Sequence, residues 1–479
     1  MTGGGSPLAP PPLAPPAERA RLFDQVLRHG DEAVAFQATE SAIRGWFPDG
    51  SGEGAVAYVD TGAAWVAVGS PLGSEDTRAD LARGFIRAAA AAGRRAIFFG
   101  VERTGWVDDG LRCLSLGEQP EFTPAEWLRT LTGHRSLREQ LRRARAKGVR
   151  VREVRPEELV EGSALRGEVE DLAEAWLRGR NLEPMGFLVA LEPFWNPSEH
   201  RYLVAEREGV TVGFLSAVPI PREGGFLVED LLRGRSAPNG TTELLLDALM
   251  RSVAPDVRVT LGLAPLSGAG MARWTVLARA LGRPLYDFRG LRAFKARLRP
   301  SGWRRVWLVR PRRQGAILAI WDALSAFAAG RPFRFLGRSL LRHPAGFPWL
   351  LSLPLVPWTL VLAGVLAAGR ARWMGFGPWE LLGWIVFDAV LAVALFCTAL
   401  APRRRWLSAL AAAAGIDALL SVNHLVTHGF GISPIAWVLR SLATAAPILG
   451  TAVLAWSALH AARGSRASGR CSLNQMGKA

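Results

Sequence analysis

Cysteine is scarce: Cys113, Cys397 and Cys471 are the three in 479 residues. Their scatter offers neither metal-ligand spacing nor a disulfide framework, so a reducing compartment fits the soluble part. The start, MTGGGSPLAPPPLAPPAERA, lacks both a basic opening and an apolar run, which argues against a secretory signal; its Pro and Gly suit a disordered tail over residues 1–20. Charge is also sparse, at 21% of residues against 49% hydrophobic, and charged side chains are the usual cover of a soluble surface. A membrane part is therefore expected.

Acidic residues nearly vanish from the last third. Up to residue 300 there are roughly 39 Lys and Arg against 38 Asp and Glu, and from 301 onward about 19 against 4, so almost all of the net +16 belongs to the last third. A uniform nucleic-acid binder would not divide its charge that way. Basic flanks around apolar spans suit anionic headgroups and the cytoplasmic side of a membrane. The length suggests about three units.

The first 300 residues mix strand and helix signals. GAVAYVDTGAAWVAVGSPLG gives two short apolar runs around Thr61-Gly62, a hairpin signal, and TRADLARGFIRAAAAAGRRAIFFGV reads as a helix ending at Gly93 before a buried strand at Ala96–Val101. The same grammar returns later: a helix at Leu165–Arg178, a hairpin turned at Glu208-Gly209, the strand GGFLVEDLL, the helix TTELLLDALMRSVA and the strand VRVTLGLAPLSG. Two similar α+β units in tandem, 21–132 and 133–298, are the simplest architecture.

Two places have candidate chemistry. In HRSLREQLRRARAKGVRVREV, Arg135, Arg138, Arg142, Arg143, Arg145, Lys147, Arg150 and Arg152 stand beside a narrow Leu137/Leu141 stripe; they are either a phosphate-binding face or a solvated one. In VEDLLRGRSAPNGTTELLLDALMRS an acidic pair, Glu229 and Asp230, ends a strand, and Asn239-Gly240 opens a helix. That junction is either a ligand site at a helix start or an ordinary turn. A regular strand would point Glu229 away from Asp230.

From residue 344 to 463 the chain reads as about four transmembrane helices with both ends on the cytoplasmic side, followed by a basic tail, 464–479. The preceding basic stretch, 299–343, reads as an interfacial helix or linker. Asp417, His424 and His428 share one helical face in the third span; interhelical hydrogen bonding is preferred there to a metal, and no metal or cofactor is assigned.

Taken in order, VAVGSPLG, RSLREQLRRARAKGV, AEAWL, GFL, VEDLLRGRSAPNGTTELLL and LGLAPLSG make residues 35–298 resemble the C-terminal catalytic domain of the phosphatidylglycerol lysyltransferases, the aminoacyl-lipid synthases. The resemblance implies two tandem acetyltransferase-like (GNAT-like) units and transfer of an amino acid from aminoacyl-tRNA to a hydroxyl of phosphatidylglycerol or a similar anionic lipid. It implies Asp230 and Arg233 as an acidic and basic active-site pair, with Glu243 as an alternative base. Asn239 and Gly240 would shape the adjacent turn, while Arg135, Arg138 and Ser267 would contact substrate. Departures are Ser70 where the family usually has Asp, Glu139 near a usual Asn, and Glu243 for Asp; the spans also follow the catalytic part instead of preceding it. An acyl-CoA-dependent acyltransferase and a non-catalytic membrane scaffold or sensor are the competing functions. The expected location is a bacterial-type inner membrane with the catalytic part in the cytoplasm.

Overall fold

The computed structural model describes residues 14–48, 53–178, 184–268, 279, 287–342, 346–374, 376–400, 404–428, 448–452 and 454–455. They fall into two compact units that divide between Phe335 and Leu336.

The first unit is built on one mixed sheet of twelve strands. In chain order its elements are α1 (Pro16–His29), β1 (Arg44–Trp46), β2 (Val56–Asp60), β3 (Ala64–Val68), α2 (Glu75–Ala91), β4 (Arg95–Val101), β5 (Leu111–Phe122), α3 (Pro124–Gly133), α4 (Arg135–Ala146), β6 (Arg150–Val154) and α5 (Ala164–Arg178). There follow β7 (Arg201–Arg207), β8 (Val210–Ile220), β9 (Gly225–Arg233), α6 (Thr241–Ser252), β10 (Val259–Thr260), β11 (Ala264–Pro265), α7 (Phe288–Arg297), β12 (Gly302–Pro311) and α8 (Ala316–Phe327), while α9 (Pro332–Arg342) spans the division. The spatial order is β1-β2-β3-β4-β12-β5-β10-β9-β8-β7-β6, with β11 also pairing with β5.

Local chemistry explains the turns. At the β2–β3 hairpin, Gly62 sits at φ +83° and its N–H donates to Asp60 Oδ1 at 2.7 Å. At β7–β8, Glu208 and Gly209 both have positive φ, the twist that a two-residue hairpin needs. Leu81, Ala82, Phe85 and Ala89 form the buried stripe of α2, and Phe85 packs among Tyr58, Trp65 and Phe98 of the sheet.

The segment 299–343, expected to be an interfacial helix or linker, begins instead with a strand, β12, followed by α8, which buries one face and exposes Ile317, Leu318 and Leu324 on the other, and by α9. β12 lies between β4 and β5, with Val306, Leu308 and Val309 buried, so residues beyond 298 complete the sheet. Its Arg304 pairs with Glu121 at 2.6 Å and Glu102 at 3.3 Å. Behind it, α8 places Ala319, Ala323 and Ala326 in the core. The buried Asp322 of α8 receives two bonds from Arg95, 2.9 and 2.6 Å, and one from Gln314, 2.9 Å. Counting arginines misread β12 because its apolar residues fill the sheet and its Arg304 is matched by carboxylates far away in sequence.

The second unit contains α10 (Gly346–Ala367), α11 (Pro378–Leu400) and α12 (Arg404–His428). Leu391 and Leu395 of α11 pack with Leu407, Leu410 and Ala414 of α12. Among the described residues two stretches, Pro378–Thr398 and Arg405–Asn423, are long and apolar enough to cross a membrane, and α10 contributes a shorter apolar stretch, Leu355–Ala367. The expected fourth span lies largely outside the described residues, as do the side chains of His424 and His428. Asp417 accepts a hydrogen bond from Ser421 Oγ at 3.3 Å.

Candidate active site

Strand β9 carries an irregularity that reorganises the acidic pair. Ser216 of β8 faces Asp230 while the next residue, Ala217, faces Val228, so Glu229 is an extra residue in β9. A β-bulge of this kind resets the side-chain alternation. Glu229 and Asp230 thus turn toward the same buried region, in contrast to the regular strand expected from the sequence.

Asp230 is buried; its Oδ2 accepts from Ser216 Oγ at 2.8 Å, and its backbone N–H donates to the same oxygen at 3.2 Å. Burial, reinforced by the neighbouring Glu229, pushes its carboxyl up to about 8, against the favourable Ser216 bond. Glu229 Oε1 accepts from Gln37 Nε2 at 2.9 Å, and that amide also donates to Leu188 O at 2.9 Å. Glu40, from the turn after Gln37, is buried too, and burial together with Glu229, Glu192 and Asp230 holds its carboxyl well above the usual range. Three carboxyl groups from the N-terminal segment and β9 therefore meet in one place.

No Lys or Arg forms an ion pair with any of the three among the described residues. The nearby basic group is His200, whose buried ring stacks on Tyr202 with centroids 5.4 Å apart and meets Trp195 edge-on at 5.0 Å. Its Nδ1 lies 3.0 Å from the carbonyl of Asn196, which can only accept, so Nδ1 holds the proton and a neutral ring leaves Nε2 bare. Nε2 faces Glu229 Oε2 at 3.5 Å, and neither atom has a hydrogen-bond partner among the described residues. Two such atoms, buried and facing one another, need a donor from outside the protein or a proton between them.

The other sequence candidates divide between two places. Arg233 pairs with Gly213, whose Cβ direction meets Thr241 and Leu245 of α6, whereas Asp230 points to the opposite face. The structure therefore separates the expected Asp230–Arg233 pair. Arg233 Nη1 instead donates to Asn239 Oδ1 at 3.1 Å at the entrance to α6. Gly240, at φ +95°, would carry a Cβ 2.2 Å from Gln140 O of α4, so this glycine lets two helices touch. Glu243 in the first turn of α6 accepts from Thr242 Oγ1 at 2.9 Å. Arg135 is exposed, while Arg138 caps α3 by donating to the carbonyls of Leu131 and Thr132. Ser267 is buried and donates to Ala264 O at 2.7 Å.

Around the cluster the sheet splits. β10 runs parallel to β9 through Val259–Phe226 and Thr260–Leu227, then the chain leaves β9 and Ala264 pairs with Glu118 of β5. Lys295 of α7 fixes that departing lip: its Nζ donates to Leu261 O, Gly262 O and Leu263 O at 2.8, 2.8 and 2.9 Å. Burial pushes the ammonium down to about 7, while its three carbonyl acceptors favour the charged form. Where an Asp was expected, Ser70 donates to the buried Glu32 at 2.7 Å and accepts from Trp106 Nε1 at 3.0 Å. A neighbouring carboxyl thus occupies that spot, raised to about 7 by burial and by Glu102.

Gln37, Glu40, His200 and Ser216 were not singled out from the sequence. Each is an isolated polar residue far along the chain from Asp230, and only tertiary pairing reveals the group.

The sequence pattern of the family described as phosphatidylglycerol lysyltransferase, C-terminal, matches residues 23–310, more than half of the chain. The chain belongs to this family. Like the lysyltransferase family pattern, the fold runs through β12, past the boundary at 298. Among curated relatives, the phosphatidylglycerol lysyltransferase of Bacillus subtilis is 26% identical over 262 residues, 51% of this chain and 29% of the relative. The lysylphosphatidylglycerol biosynthesis bifunctional protein LysX of Rhodococcus opacus is 31% identical over 246 residues, 48% of this chain and 21% of the relative. The chain therefore spans less than a third of either relative. Among solved structures, the C-terminal domain of a protein named as a lysylphosphatidylglycerol synthetase from Agrobacterium fabrum is 26% identical with a TM-score of 0.56, covering 66% of this chain and 98% of that one. L-PGS from Bacillus licheniformis, at 23% identity and TM-score 0.55 over 66% of this chain and 97% of its own, shares the fold.

Proposed function

We propose that the protein is a membrane-attached aminoacyltransferase that moves an amino acid from aminoacyl-tRNA to a hydroxyl of phosphatidylglycerol or a similar anionic lipid. The observation that supports this best, beside family membership, is the buried group of Glu40, Glu229 and Asp230 with no Lys or Arg partner among the described residues. Buried carboxylates without a counter-charge are costly, and the ammonium of an aminoacyl ester would supply the missing cation and the missing donor for Glu229 Oε2.

In this reading Asp230 receives the proton of the attacking lipid hydroxyl. A new ester forms between the acyl carbon and the lipid oxygen, the bond to the ribose oxygen breaks, and the proton passes from Asp230 to that leaving oxygen. A carboxyl raised to about 8 suits both halves of such a transfer near neutral pH, and the bound ammonium would favour its ionised form at the start. Ser216 orients the carboxyl, and His200 and Gln37 hold Glu229 toward the ammonium. Exposed Arg135, Arg142, Arg143 and Lys147 on or beside α4 would attract the donor RNA. The two apolar stretches of the second unit would keep the enzyme at its lipid, with the catalytic part in the cytoplasm.

The test is a lipid profile by mass spectrometry of cells lacking the gene, complemented with wild type or Asp230→Ala. An aminoacyl-phosphatidylglycerol found only with wild type is expected, and ribonuclease should abolish the reaction in extracts. Identical profiles would refute lipid aminoacylation, and a ribonuclease-resistant reaction would move the donor to an acyl-CoA.

A further inference from the structure

The other lip of the split sheet borders a cavity of about 220 Å³ between β11 and α7. Its wall is of two kinds. Arg279, Arg289 and Arg292 line it together with the apolar Leu266, Phe288 and Ala296.

The cations there are incompletely satisfied. Arg279 Nη1 reaches Leu266 O only at 3.4 Å, and its buried Nε has no partner among the described residues. Arg292 lies flat on the Trp303 ring, 3.2 Å from the centroid, which fixes its plane while Glu118 stays at 3.6 Å. Arg289 is exposed and makes no ion pair among the described residues. Leu266, at φ +52°, holds the wall in a left-handed conformation, with its N–H bonded to Leu116 O at 2.7 Å. Among the described residues, three arginines line the cavity and only one carboxylate, Glu118, forms an ion pair with any of them, so positive charge is in excess beside an apolar wall.

We propose that this cavity is a subsite for the phosphodiester of a glycerophospholipid headgroup, held by Arg279, Arg289 and Arg292. Planar guanidinium groups match the paired oxygens of a phosphodiester, and Leu266, Phe288 and Ala296 suit the glycerol carbons. The volume takes a headgroup and leaves the acyl chains outside. The inference rests on the transferase reading for its lipid: β9 carries Asp230 on one side of the split, and β11 on the other side leads into the wall of this cavity.

Direct binding tests it without turnover. The full chain in neutral detergent is titrated calorimetrically with glycerophosphoglycerol, the water-soluble headgroup, and separately with inorganic phosphate. The expected result is that the diester binds, that Arg279→Gln and Arg289→Gln each weaken it by at least about five-fold, and that Arg87→Gln, at an exposed position on α2, leaves it unchanged. Exposed Arg289 makes its variant a fold-neutral test. The proposal is overturned if wild type does not bind the diester, if the variants bind it as wild type does, or if inorganic phosphate binds equally well. It is also overturned if Arg289→Gln weakens an aminoacyl-RNA minihelix but not the diester. Diester binding with no aminoacyl-lipid product would sink the transferase reading and leave the subsite standing.

Discussion

Replacing Asp230 by Asn should stabilise the protein at alkaline pH while abolishing transfer. The wild-type carboxyl is raised from 3.8 to about 8, first by burial and then by Glu229. Between those values the folded chain holds a proton that the unfolded chain has released, so wild-type stability falls as pH rises through that window. One proton corresponds to about 1.4 kcal/mol per pH unit. The amide keeps an oxygen for Ser216 and has no charge to bury, so the stability difference, variant minus wild type, should grow by about 3 kcal/mol between pH 5.5 and pH 7.5 and level off above pH 8. Any fixed cost of the amide shifts the whole curve without changing that slope. Melting followed by tryptophan fluorescence in detergent reads the effect as a gap widening by several degrees. Parallel curves for the two proteins would mean that Asp230 is not the proton-holding group and would remove the basis for calling it the base.

Gly240→Ala should cost about 3 kcal/mol, whereas Gly62→Ala, which shares the positive φ but meets nothing within 4 Å, should cost about 1 kcal/mol; equal melting shifts would show that α4 and α6 do not touch at Gly240. Arg138→Ala should lose a helix cap, about 1 kcal/mol, while Arg135→Ala should leave melting unchanged and raise KM for the RNA donor several-fold; steady-state kinetics beside melting curves separates the two. Asp322→Ala should cost about 3 kcal/mol by stranding Arg95 and Gln314, and a melting temperature equal to wild type would count against that bridge. Lys295→Met should destabilise by about 3 kcal/mol because three buried carbonyls lose their donor, a loss visible as faster amide exchange at residues 261–263.

Much of the fold was legible because its local signals agree. Thr61-Gly62 and Glu208-Gly209 announce their hairpins, and the apolar stripes of α2 and α6 face the sheet as their spacing requires. Of the candidate site, the acidic pair Glu229 and Asp230 stood out in the sequence, but not their shared direction or their partners. The bulge that brings Glu229 beside Asp230 is a matter of register with β8, and Glu40 and His200 arrive from positions about 190 and 30 residues upstream. No local pattern encodes such a meeting. β12 failed for a related reason: its arginines looked like a membrane girdle, whereas Glu102, Glu121 and Glu223 answer Arg304 from far away in sequence. Asn239-Gly240, read as a possible ligand turn, is partly a packing device, with Gly240 cleared for the α4 backbone.

The position of β12 also dictates a schedule for biosynthesis. β4 and β5 are its two neighbours, yet both leave the ribosome some 190 residues before it does. At about 5–20 residues per second, their facing edges wait about 10 to 40 s for the strand that fills the gap between them. A nascent chain with two interior edges open is an aggregation hazard, and truncation at residue 298 would make that state permanent. Shortened versions intended for expression should therefore end beyond Phe327, after α8 has covered the inserted strand, and cells that make the full protein need a holding factor for that interval.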